Sequence, residues 1–364
     1  MNSEERDLLF ASVNKYLTHR YNYYDFRMDG NASSENVMKM YKETCDLGWS
    51  AFLFSEEVGG FGGAAIDIVE LFEKFGSHRV VTPYLESQII AGTILSGIGE
   101  KDSALLEELI AGDITLCVLD GSDRHSDGGP TALALDASDD IPCDYGPIPW
   151  APVADKILLF YSDKGEDTLL LVDTQSPCVS IERRVGVDGA LVGKVKINDL
   201  RKDGCEVLAK GTTASDIKKI ARLKTTIALC AEAVGAMESL LRQTVEYTKT
   251  RKQFGQPISN FQVLQHMMAD MFISQSTSYE MLKGISLKIS KDDEYLSYER
   301  EILLLKHKIN KESKFVRHSA VQCHGGIATT DELLLGHYLK RLVVIDNYFG
   351  GPHMDRGRIN RAVA

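Results

Sequence analysis

The chain has 364 residues, 44% of them apolar, with a formal net charge of −11. Such a length supports a core divided over about two or three domains, and the acidic balance argues against a nucleic-acid partner, whose phosphates need a basic face. No apolar run approaches the ~18 residues of a membrane span; the seven cysteines include no CxxC pair, and "MNSEERDLLF" lacks the basic-then-apolar order of a signal peptide, so a cytoplasmic protein with reduced thiols is expected.

Residues 1–112 read as helical. "SENVMKMYKETCDLGWSAF" carries apolar residues at helical spacing, "AAIDIVELFEKFG" ends in a glycine stop, and the glycine loop "EEVGGFGG" lies between them. Residues 113–212 change character: "ITLCVLD", "TALALDA", "DKILLFYS", "TLLLVDT" and "VGKVKIND" are short β-type runs bounded by Gly, Asp and Pro. Their spacing leaves no room for crossover helices, so an antiparallel β domain is expected. Residues 213–364 return to long helices. Ile220, Leu223, Ile227, Cys230, Val234, Met237 and Leu241 step by three and four, as core positions of a bundle helix do. "YEREILLLKHKINKESKFVRHSAVQCHGG" continues that pattern. His266, His307, His318, His324 and His337 have no metal-ligand spacing. The lysines of "DIKKIARLK" and the stretch "SDRHSDGGPT" read as solvated surface.

Two joints interrupt the helices. In "TRKQFGQPISNFQ", Gly255 and Pro257 stop one helix, and Ser259 or Asn260 can cap the next. A fixed Arg251 beside a helix N-terminus suits a phosphate or pyrophosphate, and Phe254 can cover a flat ligand or plug the joint. In "AVQCHGGIATTDELLLGHYLKRL", Gln322 ends a helix, while Gly325 and Gly326 let a backbone come close. Each joint alone also reads as an ordinary helix stop.

Taken together, "TRKQFGQPISNFQ", "QCHGG" and the N-terminal "SEEVGGFGG" resemble the acyl-CoA dehydrogenase family, in order and spacing, over the whole chain. The stretches "CAEAVGAMESL" and "HYLKRLVVIDNYFG" look most like the small subunits of two-subunit members, which act on dicarboxylic or steroid side-chain CoA thioesters. The resemblance implies an α+β fold: an N-terminal helical domain, a middle antiparallel β domain and a C-terminal four-helix bundle. It implies FAD as cofactor, an acyl-CoA as substrate in fatty acid or steroid catabolism, and an electron-transfer flavoprotein as acceptor. It assigns Arg251, Phe254, Gln262, Gln322, Gly325 and Gly326 to the ADP half of an FAD that belongs to the neighbouring subunit.

The family's catalytic base is missing. Counted from the motifs, its two usual glutamate positions fall at Phe349 and Thr225, neither of which can take a proton from carbon. No carboxylate lies between Asp216 and Glu232. Asp346 and Asp355 are the nearest acids to the first position. Asp346 is the candidate base, with a surface pairing to Lys340, Arg341 or another cation as its ordinary alternative; Glu232 and Glu238 read as solvated or paired. The flavin-ring contacts of the β domain are also eroded: "LDGSDR" and "PIPWAPVAD" stand where fuller motifs occur, with Pro149 in place of a threonine. Groups for a chain's own flavin are degraded and groups for a neighbour's are kept. The expectation is a base-lacking subunit that completes the site of a homologous glutamate-bearing chain in a heterotetramer. An autonomous enzyme using Asp346, or a scaffold without FAD, are the alternatives.

Overall fold

The computed structural model describes residues 3–28, 33–99, 103–120, 143–163, 166–198, 205–351, 357 and 359. The run "TALALDA", the stretch "SDRHSDGGPT", most of "LDGSDR" and Asp355 lie outside them. In chain order the elements are α1 (Ser3–His19), α2 (Ser34–Asp46), α3 (Ala65–His78), a π-helix (Leu85–Ala91), α4 (Gly92–Ile98), α5 (Ser103–Ala111), β1 (Leu116–Asp120), β2 (Cys143–Pro149), β3 (Lys156–Asp163), β4 (Glu166–Asp173), β5 (Val179–Val185), β6 (Leu191–Ile197), β7 (Cys205–Lys210), α6 (Gly211–Thr250), β8 (Lys252–Gln253), β9 (Gln256–Pro257), α7 (Gln262–Asp292), α8 (Glu299–His324) and α9 (Leu335–Asn347). The chain is thus helical, then β, then helical. Among the described residues no helix is long and apolar enough to cross a membrane. It divides into two compact units, one of residues 1–12, 24–63 and 81–225, the other of 13–23, 64–80 and 226–364.

In the first unit, α2 begins where the sequence places it, because the Ser33 hydroxyl accepts the Asn36 N–H at 3.2 Å. The glycine loop is a packing requirement: a Cβ at Gly60 would lie 2.2 Å from the Phe54 carbonyl oxygen, and one at Gly63 2.5 Å from that of Phe52. The π-helix is buried along its length. Its Ser87 hydroxyl accepts the Leu116 N–H at 3.1 Å, and Gln88 Nε2 donates to the Leu109 carbonyl at 2.7 Å.

Strands β1 to β7 form two sheets, ordered β1-β3-β4-β7 and β2-β6-β5. Leu119, Ile157, Leu159 and Leu170 of one sheet share a core with Tyr145, Val195 and Ile197 of the other. One pairing departs from the antiparallel expectation: β1 runs parallel to β3, with Leu116 opposite Lys156. Of the residues between them, β2 belongs to the other sheet.

In the second unit, two helices meet backbone to backbone. A Cβ at Gly76 of α3 would fall 2.0 Å from the Glu232 carbonyl oxygen of α6, and a Cβ at Gly235 of α6 would fall 2.0 Å from the Glu73 carbonyl oxygen of α3. Gly76 is therefore no helix stop: α3 continues to His78 and is closed by Arg79 at φ 57°. The crossing explains why α6 is buried on every side from Thr225 to Met237. Gly76→Ala should lower the denaturation free energy of the chain by about 2 kcal/mol or more, measured in urea. Gly284→Ala, on α7 where a Cβ meets nothing within 4 Å, should raise it by about 0.5–1 kcal/mol.

Candidate cofactor-binding site

The end of α6 and the start of α7 are joined by a tight hairpin, not by the simple helix stop read from Gly255 and Pro257. Lys252 pairs with Pro257 and Gln253 with Gln256. Phe254 and Gly255 form the turn at φ 55° and 81°, both left-handed, as a type I′ connection demands. Left-handed backbone is natural for the glycine and costs a phenylalanine about 1 kcal/mol. Nothing in this chain repays it by burial, since Phe254 is 91% exposed and its contact is the edge of Phe261, 6.1 Å between centroids. Strain of this kind clusters at ligand clamps and other functional sites.

Arg251 stands at the base of the hairpin. Its N–H donates to the Tyr247 carbonyl at 2.9 Å, and its carbonyl accepts the Ile258 N–H at 2.9 Å. Its side chain is exposed and makes no hydrogen bond or ion pair among the described residues. Neither Ser259 nor Asn260 caps α7: Phe261 is the N-cap, without a side-chain cap, while Asn260 turns to Gln256 at 3.3 Å. Gln262 opens α7 with its side chain exposed.

The second joint ends α8. Gln322 is exposed in its last turn, and Gly325 closes the helix at φ 68° by donating its N–H to the Val321 carbonyl. A Cβ on Gly325 or Gly326 would meet nothing within 4 Å. Gly325 needs its left-handed backbone, whereas nothing among the described residues requires glycine at 326. The two joints lie at one end of the bundle. Tyr247 of α6 stacks on His324 of α8 at 4.3 Å and 24°, and Cys323 Sγ lies 3.4 Å from Met267 Sδ of α7. An unpaired guanidinium, a displayed aromatic ring, two exposed amide side chains and an open glycine pair are thereby gathered. That set can hold a phosphate and cover a planar ring.

The positions reached by counting to a base hold no acid. Thr225 is buried, with its hydroxyl donating to the Ala221 carbonyl at 2.7 Å. Phe349 is left-handed at φ 61°, edge-on to Tyr348 at 5.0 Å, with Lys306 Nζ 6.0 Å from its ring centroid. Asp346 is 8% exposed and pairs neither with Lys340 nor with Arg341. Its Oδ2 lies 2.6 Å from Arg317 Nη1, and Ser313 Oγ donates to its Oδ1 at 3.2 Å. Burial raises its pKa, opposed by the Arg317 charge. Arg341 instead clasps Glu232 through Nε and Nη2, at 2.6 and 2.7 Å.

The face that α8 turns to α9 was read from sequence as a continued apolar pattern. It is polar: Lys306, Asn310, Ser313 and Arg317 are all buried. Lys306 Nζ donates to the Tyr348 carbonyl at 2.6 Å, and Asn310 Nδ2 donates to the Asp346 carbonyl at 3.4 Å. The steps of four, three and four between these residues were the available signal. Among the described residues no group of three or more His, Cys, Asp or Glu is placed to hold a metal.

A chain of helices, two packed sheets and a terminal bundle with ligand-ready joints defines a known class of α+β protein. A family model described as "Acyl-CoA dehydrogenase, C-terminal domain" matches residues 224–364. Acyl-CoA dehydrogenase IpdE2 of Mycolicibacterium smegmatis is 25% identical over 368 residues, covering 99% of each chain. The ChsE4-ChsE5 complex from Mycobacterium tuberculosis shares the fold with a TM-score of 0.81 at 20% identity, over 100% of this chain and 98% of that one. A glutaryl-CoA dehydrogenase from Mycobacterium smegmatis in complex with FADH2 does so with a TM-score of 0.81 at 19% identity, over 100% of this chain and 95% of that one. Residues 224–364 thus match the C-terminal domain of the acyl-CoA dehydrogenases, and the whole chain is similar to members of that family.

Asp346→Asn should destabilise the fold by about 3 kcal/mol, because it leaves Arg317 buried without its counter-charge. Thermal unfolding of the variant beside Arg317→Met and the double variant checks this. The double variant should recover most of the loss.

Proposed function

We propose that this chain is a base-lacking subunit of an FAD-dependent acyl-CoA dehydrogenase and completes the FAD site of a homologous, glutamate-bearing partner. The observation that carries the reading is a contrast within one bundle. Phe254 is displayed at 91% exposure on a left-handed turn, beside an Arg251 with no partner among the described residues. The positions where the family keeps its base hold Phe349 and Thr225, and Asp346 is engaged by Arg317.

The donor set fits the ADP half of FAD approached from outside. Arg251 would neutralise the diphosphate, Phe254 would cover a flat face, and Gln262 and Gln322 would offer amides. Gly325 and Gly326 would leave room for the approach. FAD, when bound, supplies the acceptor for the β-hydrogen of the acyl-CoA as hydride. The α-proton would go to the partner's glutamate, since no carboxylate of this chain stands at either base position. An electron-transfer flavoprotein would then take the electrons. A second observation supports a partner: α7 exposes Val263, Phe272, Ile273, Met281 and Leu287, apolar surface that association would bury. The ChsE4-ChsE5 structure is itself a complex.

The chain should be purified alone and with a glutamate-bearing homologue, and both assayed for acyl-CoA oxidation. Alone it should be inactive; together the pair should turn over. Arg251→Ala should weaken FAD retention by the pair about 10–100-fold, the worth of a charge-assisted hydrogen bond. Activity of the chain by itself would contradict the reading, and a pair that carries no flavin would favour the scaffold.

A further inference from the structure

Arg251 and the Gly325–Gly326 pair come from different helices, yet one ligand would need both. Each sits where a helix ends, the part of a bundle that opens most readily. A direct link between the two ends helps fix their separation. Tyr247 lies one turn before Arg251 and accepts its N–H at 2.9 Å. His324 immediately precedes Gly325. Their rings stack at 4.3 Å and 24°, and the Tyr247 hydroxyl donates to the His324 carbonyl at 3.4 Å. The imidazole is itself held, with Nδ1–H donating to the Ala320 carbonyl at 2.8 Å. Burial lowers its pKa and favours the neutral ring. Each partner of the stack is therefore fixed to the backbone of the joint it serves.

We infer that Tyr247 and His324 are a positioning pair that holds the arginine hairpin and the glycine pair at the separation a diphosphate–nucleoside ligand requires. The inference rests on the proposed FAD reading. Neither residue needs to touch the ligand. Their contribution is preorganisation: without the stack, the hairpin and the glycine turn must be ordered at the moment of binding, at the expense of affinity.

The test is a double-mutant cycle on the complex with the glutamate-bearing partner, titrated with FAD, with hydrogen exchange on this chain alone as second readout. Tyr247→Phe keeps the stack and should bind FAD within about twofold of wild type. Tyr247→Leu should weaken FAD about tenfold, and its effect should largely vanish in the Arg251→Ala background, because it acts through the arginine. In the chain alone, Tyr247→Leu should speed amide exchange at 251–258 and 325–329 while the centre of α6 stays protected. Tyr247→Leu effects that multiply with those of Arg251→Ala, or exchange that rises along the whole bundle, would make the pair ordinary packing and overturn the inference. A wild-type complex that binds no FAD would overturn the FAD reading and this inference with it.

Discussion

The second unit is organised by the crossing of α3 and α6, where Gly76 and Gly235 let each helix rest on the other's carbonyl oxygens. No side chain larger than hydrogen fits at either position, so the separation of the helices is set by backbone and has little freedom to adapt. Everything functional in the bundle is referred to α6. Its Glu232, next to the crossing, anchors Arg341 of α9. Its last turn carries Tyr247 and delivers Arg251 to the hairpin. A shift of α6 would move the arginine and the α9 anchor together, and the paired glycines prevent it.

On that frame the bundle shows two opposite kinds of site. Around α9, charge is enclosed and satisfied: Asp346 faces Arg317, and Lys306 meets the Tyr348 carbonyl. A buried carboxylate held by a guanidinium is a structural group, poorly suited to taking a proton from carbon. At the α6–α7 joint the reverse holds. A cation has no counter-charge among the described residues, an aromatic ring stands in solvent, and backbone strain keeps it there. In the proposed reading, groups left open in this way have their energetic justification outside the polypeptide, in a ligand and the chain that brings it.

Much of this was legible in the residues, and what was not has physical causes. Strands β1, β3, β4 and β6 stood out because each carries a series of buried apolar residues. Strands β2, β5 and β7 did not, and all three are edges. An edge strand tolerates the prolines and bulge of β2 and the polar, exposed run of β5, so its pattern fades. Gly76 looked like a stop because a glycine near a helix end usually is one; only the opposite helix reveals that it marks a crossing. The hairpin at Phe254 was hidden for a related reason, since the left-handed turn favours Asn-Gly and here carries Phe-Gly. The chemical content of both joints was visible from residue type alone. Their meeting at one end of the bundle, through Tyr247 and His324, was not, because the contact spans 77 residues.

The central claim is that flavin in the assembled enzyme is shared between unlike chains, this one contributing the outer hand and no ring site of its own. The most direct measurement is the ratio of flavin to polypeptide in the purified complex, by absorbance of the released flavin against quantified protein, beside the same ratio for this chain alone. The account predicts one flavin for each pair of unlike chains and none on this chain by itself. One flavin on every chain would contradict it.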